Sequence, residues 1–177
     1  AYPGIRLDIT IGNTQGIENA VMAGRVDIGL VEGPTGHGVL IRQVIDTDRP
    51  MLVVSSSSSA QIAPGGRMDM TSLPWVIREE GSGTRHVLEE LCERTGVRFD
   101  ALRIVLVLPS NEAVREAVEA GAGVTIISEQ VAAASIEAGR LRAVPVDLPE
   151  REFALIRHSE RALTPAQRAL IDALSGR

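Results

Sequence analysis

The stretch Ile77–Leu91, I-R-E-E-G-S-G-T-R-H-V-L-E-E-L, changes character twice in a short span. An apolar run, Trp75–Ile77, stops at Glu79 and Glu80. A small-residue loop follows, Gly81-Ser82-Gly83-Thr84. Then Val87, Leu88 and Leu91 recur at helical spacing. That order predicts strand, tight loop, helix. Ser82 or Thr84 supplies the helix cap, and the glycines let backbone approach a ligand closely. Free N–H groups and the positive end of the helix dipole suit an anion there. The same residues equally serve a strand-to-helix turn with no ligand.

Outward from this stretch the chain repeats the pattern. Toward the N-terminus, Ile5, Leu7, Ile9 and Ile11 alternate as in a strand. Asn13 or Thr14 caps a helix carrying Ile17, Ala20 and Val21, with Gly24 as its stop. Val26–Val31 reads as a short buried strand broken by Glu32-Gly33-Pro34. Val39–Ile45 reads as an edge strand and Met51–Val54 as another strand. Ser55–Gly66 is loop by composition, and 70–74 is a turn into the Trp75 strand. Toward the C-terminus, Gly96 stops the central helix. Arg103–Leu108 is nearly all apolar, as in a parallel sheet covered on both faces. Ser110-Asn111 caps a helix with Val114, Ala117 and Val118 inward and Gly121 as stop. Strands are expected at Val124–Ile127, Leu141–Val146 and Phe153–Arg157, with a Ser128-capped helix through Ala138 to Gly139. Thr164-Pro165-Ala166-Gln167 is a capping box for a last helix carrying Leu170, Ile171 and Leu174.

One internal similarity stands out. The run from Asn13, N-T-Q-G-I-E-N-A-V-M-A-G-R-V-D-I-G-L-V, aligns without gaps on S-N-E-A-V-R-E-A-V-E-A-G-A-G-V-T-I-I-S from Ser110. Both read as capped helix, A-V-x-A-G, short strand. Two lobes of one α/β type and mostly parallel sheets follow. Ligands in such sheets sit beyond the strands' carboxyl ends, beside helix N-termini. Those ends are Gly12–Thr14, Glu32-Gly33, Glu79–Thr84, Ser110-Asn111 and Ser128.

Composition bounds the chemistry. The 177 residues are 44% hydrophobic but only 2% aromatic, so the core is aliphatic. No apolar run approaches the ~20 residues of a membrane span. Nothing at the N-terminus reads as a signal peptide. All 18 basic residues are arginine, which removes a Walker lysine, a Schiff base and a lysine general base. A formal charge of −5 with scattered arginines argues against gripping a nucleic-acid backbone. Cys92 is alone, so no intrachain disulfide forms, and its place in the helical pattern predicts a buried thiol. His37, His86 and His158 have no ligand spacing, so no metal is expected. Gly81-Ser82-Gly83 is not a nucleophile elbow, since no glycine lies two residues before the serine. No histidine is placed by sequence to activate Ser82 or Thr84. Glu79 and Glu80 are adjacent and diverge at a strand end, a weak acid–base pair. Glu80 faces a ligand or the helix start. Glu32 is a ligand contact or a loop charge, and Asn13 and Thr14 are caps first.

Taken in order, these pieces resemble the effector-binding domain of a LysR-type transcriptional regulator. The resemblance rests on Tyr2-Pro3, G-N-T at Gly12–Thr14, A-V-M-A-G-R-V-D-I-G-L-V-E-G at Ala20–Gly33, and L-P-W-V-I-R-E-E-G-S-G-T-R at Leu73–Arg85. The Ser110–Ser128 run and A-G-R-L around Gly139 continue it. It covers essentially the whole chain. It implies a type II periplasmic-binding-protein-like α/β fold of two Rossmann-like subdomains, 1–48 with 150–177, and 49–149, and a ligand cleft between them. It implies a small, anionic effector, no cofactor, no metal and no catalysis. Gly81, Ser82, Gly83, Thr84, Glu80, Glu32, Gly33, Asn13, Thr14, Ser110, Asn111 and Ser128 become the expected ligand contacts. Family members act in the cytoplasm as homodimers or tetramers. They reach DNA through a helix-turn-helix domain that this chain lacks, and they carry a strand and helix ahead of the position of Tyr2. An enzyme on a similar scaffold, of prephenate dehydratase or phosphoribosyltransferase type, and a solute-binding protein are the alternatives.

Overall fold

The computed structural model describes residues 4–36, 38–58 and 68–175. Tyr2-Pro3, His37 and the part of the expected loop from Ser59 to Gly66 lie outside them. In chain order the elements are α1 (Thr14–Met22), β1 (Ile28–Glu32), β2 (Leu40–Asp48), β3 (Pro50–Ser55), β4 (Pro74–Arg78) and α2 (Gly83–Thr95). After a single 3-10 turn at Phe99–Ala101 come β5 (Arg103–Leu108), α3 (Asn111–Glu119), β6 (Val124–Ser128) and α4 (Glu129–Glu137). β7 (Leu141–Val144), β8 (Arg151–His158) and α5 (Pro165–Leu174) close the chain. It divides into two compact units: residues up to Thr47 with those from Glu152 onward, and Asp48–Arg151.

The first unit holds a three-stranded sheet, ordered β1-β8-β2. β1 runs antiparallel to β8, Ile28 facing Arg157 and Glu32 facing Phe153. Helix α1 lays Ile17 and Val21 on Val31, Ala154 and Ile156. Arg161 donates from both terminal nitrogens to the Val21 and Met22 carbonyls, at 2.8 and 3.1 Å. That places a cation at the negative end of α1. In α5, Thr164 and Gln167 form the capping box, and Gln43 of β2 bonds Ser175 at 2.8 Å.

The expected strand at Ile5–Ile11 does not form: the described residues before Asn13 have no regular structure. Leu7, Ile9 and Ile11 are 57, 78 and 94% exposed. Alternation gives a stretch an apolar face, but its N–H and C=O groups still need a neighbouring strand. The stretch is not paired to the β1-β8-β2 sheet.

The second unit is a five-stranded sheet, β5-β4-β6-β3-β7, between helices. Its strands alternate strictly. Leu52, Val54, Trp75, Ile77, Val124 and Ile126 meet Val87, Leu88, Leu91 and Cys92 of α2 on one face. Val53, Val76 and Ile127 meet Val114 and Val118 of α3 and Ala132 of α4 on the other. Burial pushes the Cys92 thiol up to about 11, with Glu89 and Glu93 adding to it, so it stays protonated and inert. The Trp75 indole N–H donates to the Met70 carbonyl at 2.8 Å.

Two sheet expectations are corrected here. The sheet is mixed: β4 is parallel to β5 and β6, whereas β3 is antiparallel to β6 and β7. So β4, β5, β6 and β7 share one direction and β3 opposes them. A helical crossover enforces parallel sense only where it joins two strands. A single residue, Arg49, separates β2 from β3, and nothing there sets that direction. In the first unit, β1 and β8 are antiparallel for the same reason: no single crossover helix joins them. β5 is also not covered on both faces. It is an edge strand, with Val105, Leu106 and Val107 exposed. Its continuous apolar run mimics a central strand.

Gly123 sits where β6 begins, against the start of β4. A Cβ there would lie 2.1 Å from the Pro74 carbonyl oxygen. Gly123→Ala should therefore lower stability by about 1–3 kcal/mol or more, read from Trp75 fluorescence in urea. A melt like the parent's would contradict that packing.

At the end of α3, the Glu119 carboxylate accepts from Ser135 Oγ and from Arg140 Nε at 2.9 Å, with Arg115 Nε at 3.3 Å. The Ser135 hydrogen bond holds this carboxyl below the usual glutamate range; burial opposes it as the next largest effect, and the Arg140 hydrogen bond and the Arg140 and Arg115 charges lower it further. A lowered native value means stability that is present above the ordinary glutamate range and lost as pH falls through the native value. Glu119→Gln should be less stable than the parent at neutral pH. The gap should close on acidification, as followed by melting temperature against pH.

Candidate functional site

Strand direction decides which chain ends meet in the second unit. The carboxyl ends of β4, β5 and β6 lie along one edge of the sheet. Because β3 is reversed, its amino end lies there too: Pro50 pairs with Ser128, the last residue of β6. That edge therefore collects Arg78 and Glu79 from β4, Ser110 and Asn111 after β5, Ser128 from β6, and Asp48 just ahead of β3.

Each helix start on this edge is capped as its sequence requires. Ser82 accepts from the Thr84 N–H at 3.2 Å, so Ser82 is the cap of α2 and Thr84 lies in its first turn. Ser110 accepts from Ala113 N at 3.1 Å, and Ser128 from Gln130 N at 3.1 Å. Gly81 takes a φ of +81°, which favours glycine and turns the chain from β4 into α2.

The side chains then link into one buried series. Arg78 grips its neighbour Glu79 through Nε and Nη2 at 2.8 and 2.9 Å, and donates from Nη1 to Asn111 Oδ1 at 2.7 Å. The same Asn111 oxygen takes the Thr84 hydroxyl at 3.1 Å. Thr84 Oγ1 in turn accepts from Arg151 Nη1 at 3.1 Å. The other Arg151 nitrogen, Nη2, is ion-paired to Asp48 Oδ2. Asp48 Oδ1 receives the Ser128 hydroxyl at 2.6 Å. Ser82, Thr84, Ser128, Asp48, Arg78 and Arg151 are all buried. Removing one partner of a buried pair leaves an uncompensated charge, at a cost of ~3–5 kcal/mol. The series is therefore a fixed frame rather than a set of mobile surface contacts.

Of the expected contacts, the structure brings Thr84, Asn111 and Ser128 into this frame, with Ser82 as the cap of α2, Gly83 buried in its first turn and Ser110 at the start of α3. Glu80 is exposed beside them. Asn13, Thr14, Glu32 and Gly33 belong to the first unit and form their own group. Asn13 caps α1 by accepting from Gly16 N at 2.8 Å. The Thr14 hydroxyl donates to the Glu32 carbonyl at 3.0 Å, tying the start of α1 to the end of β1. Gly33 follows with a φ of +81°. Sequence reasoning missed Arg78, Asp48 and Arg151. An arginine closing an apolar strand ahead of two carboxylates was a usable sign for Arg78. Asp48 and Arg151 are far apart in the chain, and no local pattern connects them.

The Ser82 oxygen faces a backbone N–H, and the Thr84 hydroxyl faces an amide and a guanidinium. Among the described residues no cluster of His, Cys, Asp and Glu could hold a metal ion, and no helix is long and apolar enough to cross a membrane.

The chain matches the LysR substrate binding domain family over residues 1–177. It is 31% identical over 173 residues to the uncharacterized HTH-type transcriptional regulator YeiE of Escherichia coli K12, covering 97% of this chain and 58% of that protein. The chain thus spans little more than half of that relative. Among solved structures it resembles the Synechocystis PCC6803 CcmR regulatory domain in complex with 2-PG, at a TM-score of 0.86 and 22% identity over 99% of this chain and 84% of that one. It also resembles the effector binding domain of QuiR in complex with shikimate, at 0.79 and 14% over 93% of this chain and 78% of that one. These likenesses are of fold, and the fold is the type II periplasmic-binding-protein-like one. From the match along its whole length, the chain belongs to the LysR substrate binding domain family.

Proposed function

We propose that this chain is the sensing part of a LysR-type regulator and that a small, oxygen-rich anion seats at the strand-end edge of the second unit. One observation carries the reading: Thr84, Asn111 and Ser128 are held at the starts of three helices by a buried frame of Arg78, Arg151 and Asp48, and Ser82 caps the helix that carries Thr84. Helix starts offer N–H donors and a positive dipole end, and the frame fixes the hydroxyl and amide groups before a ligand arrives. The ligand complexes of the CcmR and QuiR domains support a binder on this fold. The curated relative is a transcriptional regulator, which supports sensing without turnover.

In the whole protein, on this reading, effector binding favours one of two arrangements and so alters how a separate helix-turn-helix segment meets DNA. The same reading makes the protein a cytoplasmic homodimer or tetramer. The first-unit group of Asn13, Thr14, Glu32 and Gly33 is a second set of candidate contacts, to be tested by its own substitutions.

Titration calorimetry against small carboxylic and phosphorylated acids tests the seat. An effector found this way should bind about tenfold or more weakly to Thr84→Val, since a hydrogen bond to a charged group contributes ~1.5–3 kcal/mol. Ser82→Ala should weaken it too, and Thr84→Ser should bind as the parent does. Unchanged affinity in both Thr84→Val and Ser82→Ala would remove the seat from this edge.

A further inference from the structure

The chain passes from the first unit to the second at Asp48 and back at Arg151. Those two residues are each other's ion-pair partners, both buried. Asp48 ends β2, a strand whose other residues all belong to the first unit, and Arg151 begins β8, of which the same holds. The pair therefore ties together the first and last residues of the second unit. Its surroundings in the second unit are specific. The free face of the carboxylate is filled by Ser128 Oγ at the start of α4, and the guanidinium reaches Thr84 Oγ1 in the first turn of α2 at 3.1 Å.

From this geometry we infer that Thr84, Arg151 and Asp48 form a relay that couples the state of the α2 loop to both chain crossings. The Thr84 hydroxyl donates to Asn111 Oδ1 and accepts from Arg151 Nη1. It has one proton. A ligand acceptor that takes that proton draws the hydroxyl from Asn111 and rotates the lone pair that faces Arg151. A change at Thr84 is thus felt by a guanidinium whose other terminal nitrogen is ion-paired to Asp48. Neither crossing needs to touch the ligand. Arg151 and Asp48 act here as positioning residues: they work through Thr84.

The inference rests on the α2 loop being the effector seat, but its test needs no effector, so the two can fail separately. Arg151→Ala would leave the buried Asp48 carboxylate without its ion-pair partner, so the substitution is made at Thr84. Amide hydrogen exchange is followed on the whole chain for the parent, Thr84→Val and Thr84→Ser. Valine keeps the shape and removes the hydroxyl; serine keeps the hydroxyl. Amides in the β4 and β6 strands, deep in the second unit, report global opening and normalise the rates. The expected result is that Thr84→Val speeds exchange about tenfold at residues 46–49 and 151–153 beyond any global change, and that Thr84→Ser restores the parent rates there. Acceleration confined to α2, or uniform over the chain, overturns the relay.

Discussion

The carboxylate of Asp48 is the interaction on which the second unit turns. It lies buried next to Ser128, at the point where the chain enters the sheet through β3. A charge out of water at that position is tolerable only when both oxygens are satisfied. Ser128 satisfies one and Arg151 the other. Those two residues come from the end of β6 and from the return of the chain, so the carboxylate draws together parts that the sequence keeps far apart. The reversed β3 strand makes this possible. Had β3 run with its neighbours, its amino end, and Asp48 with it, would lie at the opposite edge, away from every helix start that matters here.

Local signals in the sequence carried much of the architecture. Ser82, Ser110, Ser128 and Thr164 read as caps because a short side-chain oxygen ahead of an apolar period has one favourable use, and each one accepts from a backbone N–H in its helix. The repeat between Asn13 and Ser110 is equally local: α1 and α3 occupy matching positions in the two runs. What did not show was whatever depends on neighbours. Ile5–Ile11 and Arg103–Leu108 have the composition of strands. Yet one lacks a partner and the other lies at an edge, and composition does not encode who lies alongside. Strand direction failed for a related reason: it is imposed by connections, and the β2–β3 connection is a single residue.

The site divides along the same line. The caps at the candidate site were legible because helix starts announce themselves. Its frame was not, because Asp48 and Arg151 find each other only in three dimensions. Arg78 lies between these cases. It follows Ile77 in a run that reads as buried strand, and an arginine in such a place needs a partner. Glu79 beside it and Asn111 at the start of α3 provide one each.

Charge then limits what such a site prefers. Arg78 is matched by Glu79 and Arg151 by Asp48, so the frame is neutral as a whole. Selection for an anion cannot come from an uncompensated guanidinium. It has to come from the starts of α2, α3 and α4, whose dipoles each contribute ~0.3–1 kcal/mol toward negative charge, and from hydrogen bonds that depend on geometry. A site of that kind discriminates by the shape and spacing of oxygen atoms more than by net charge.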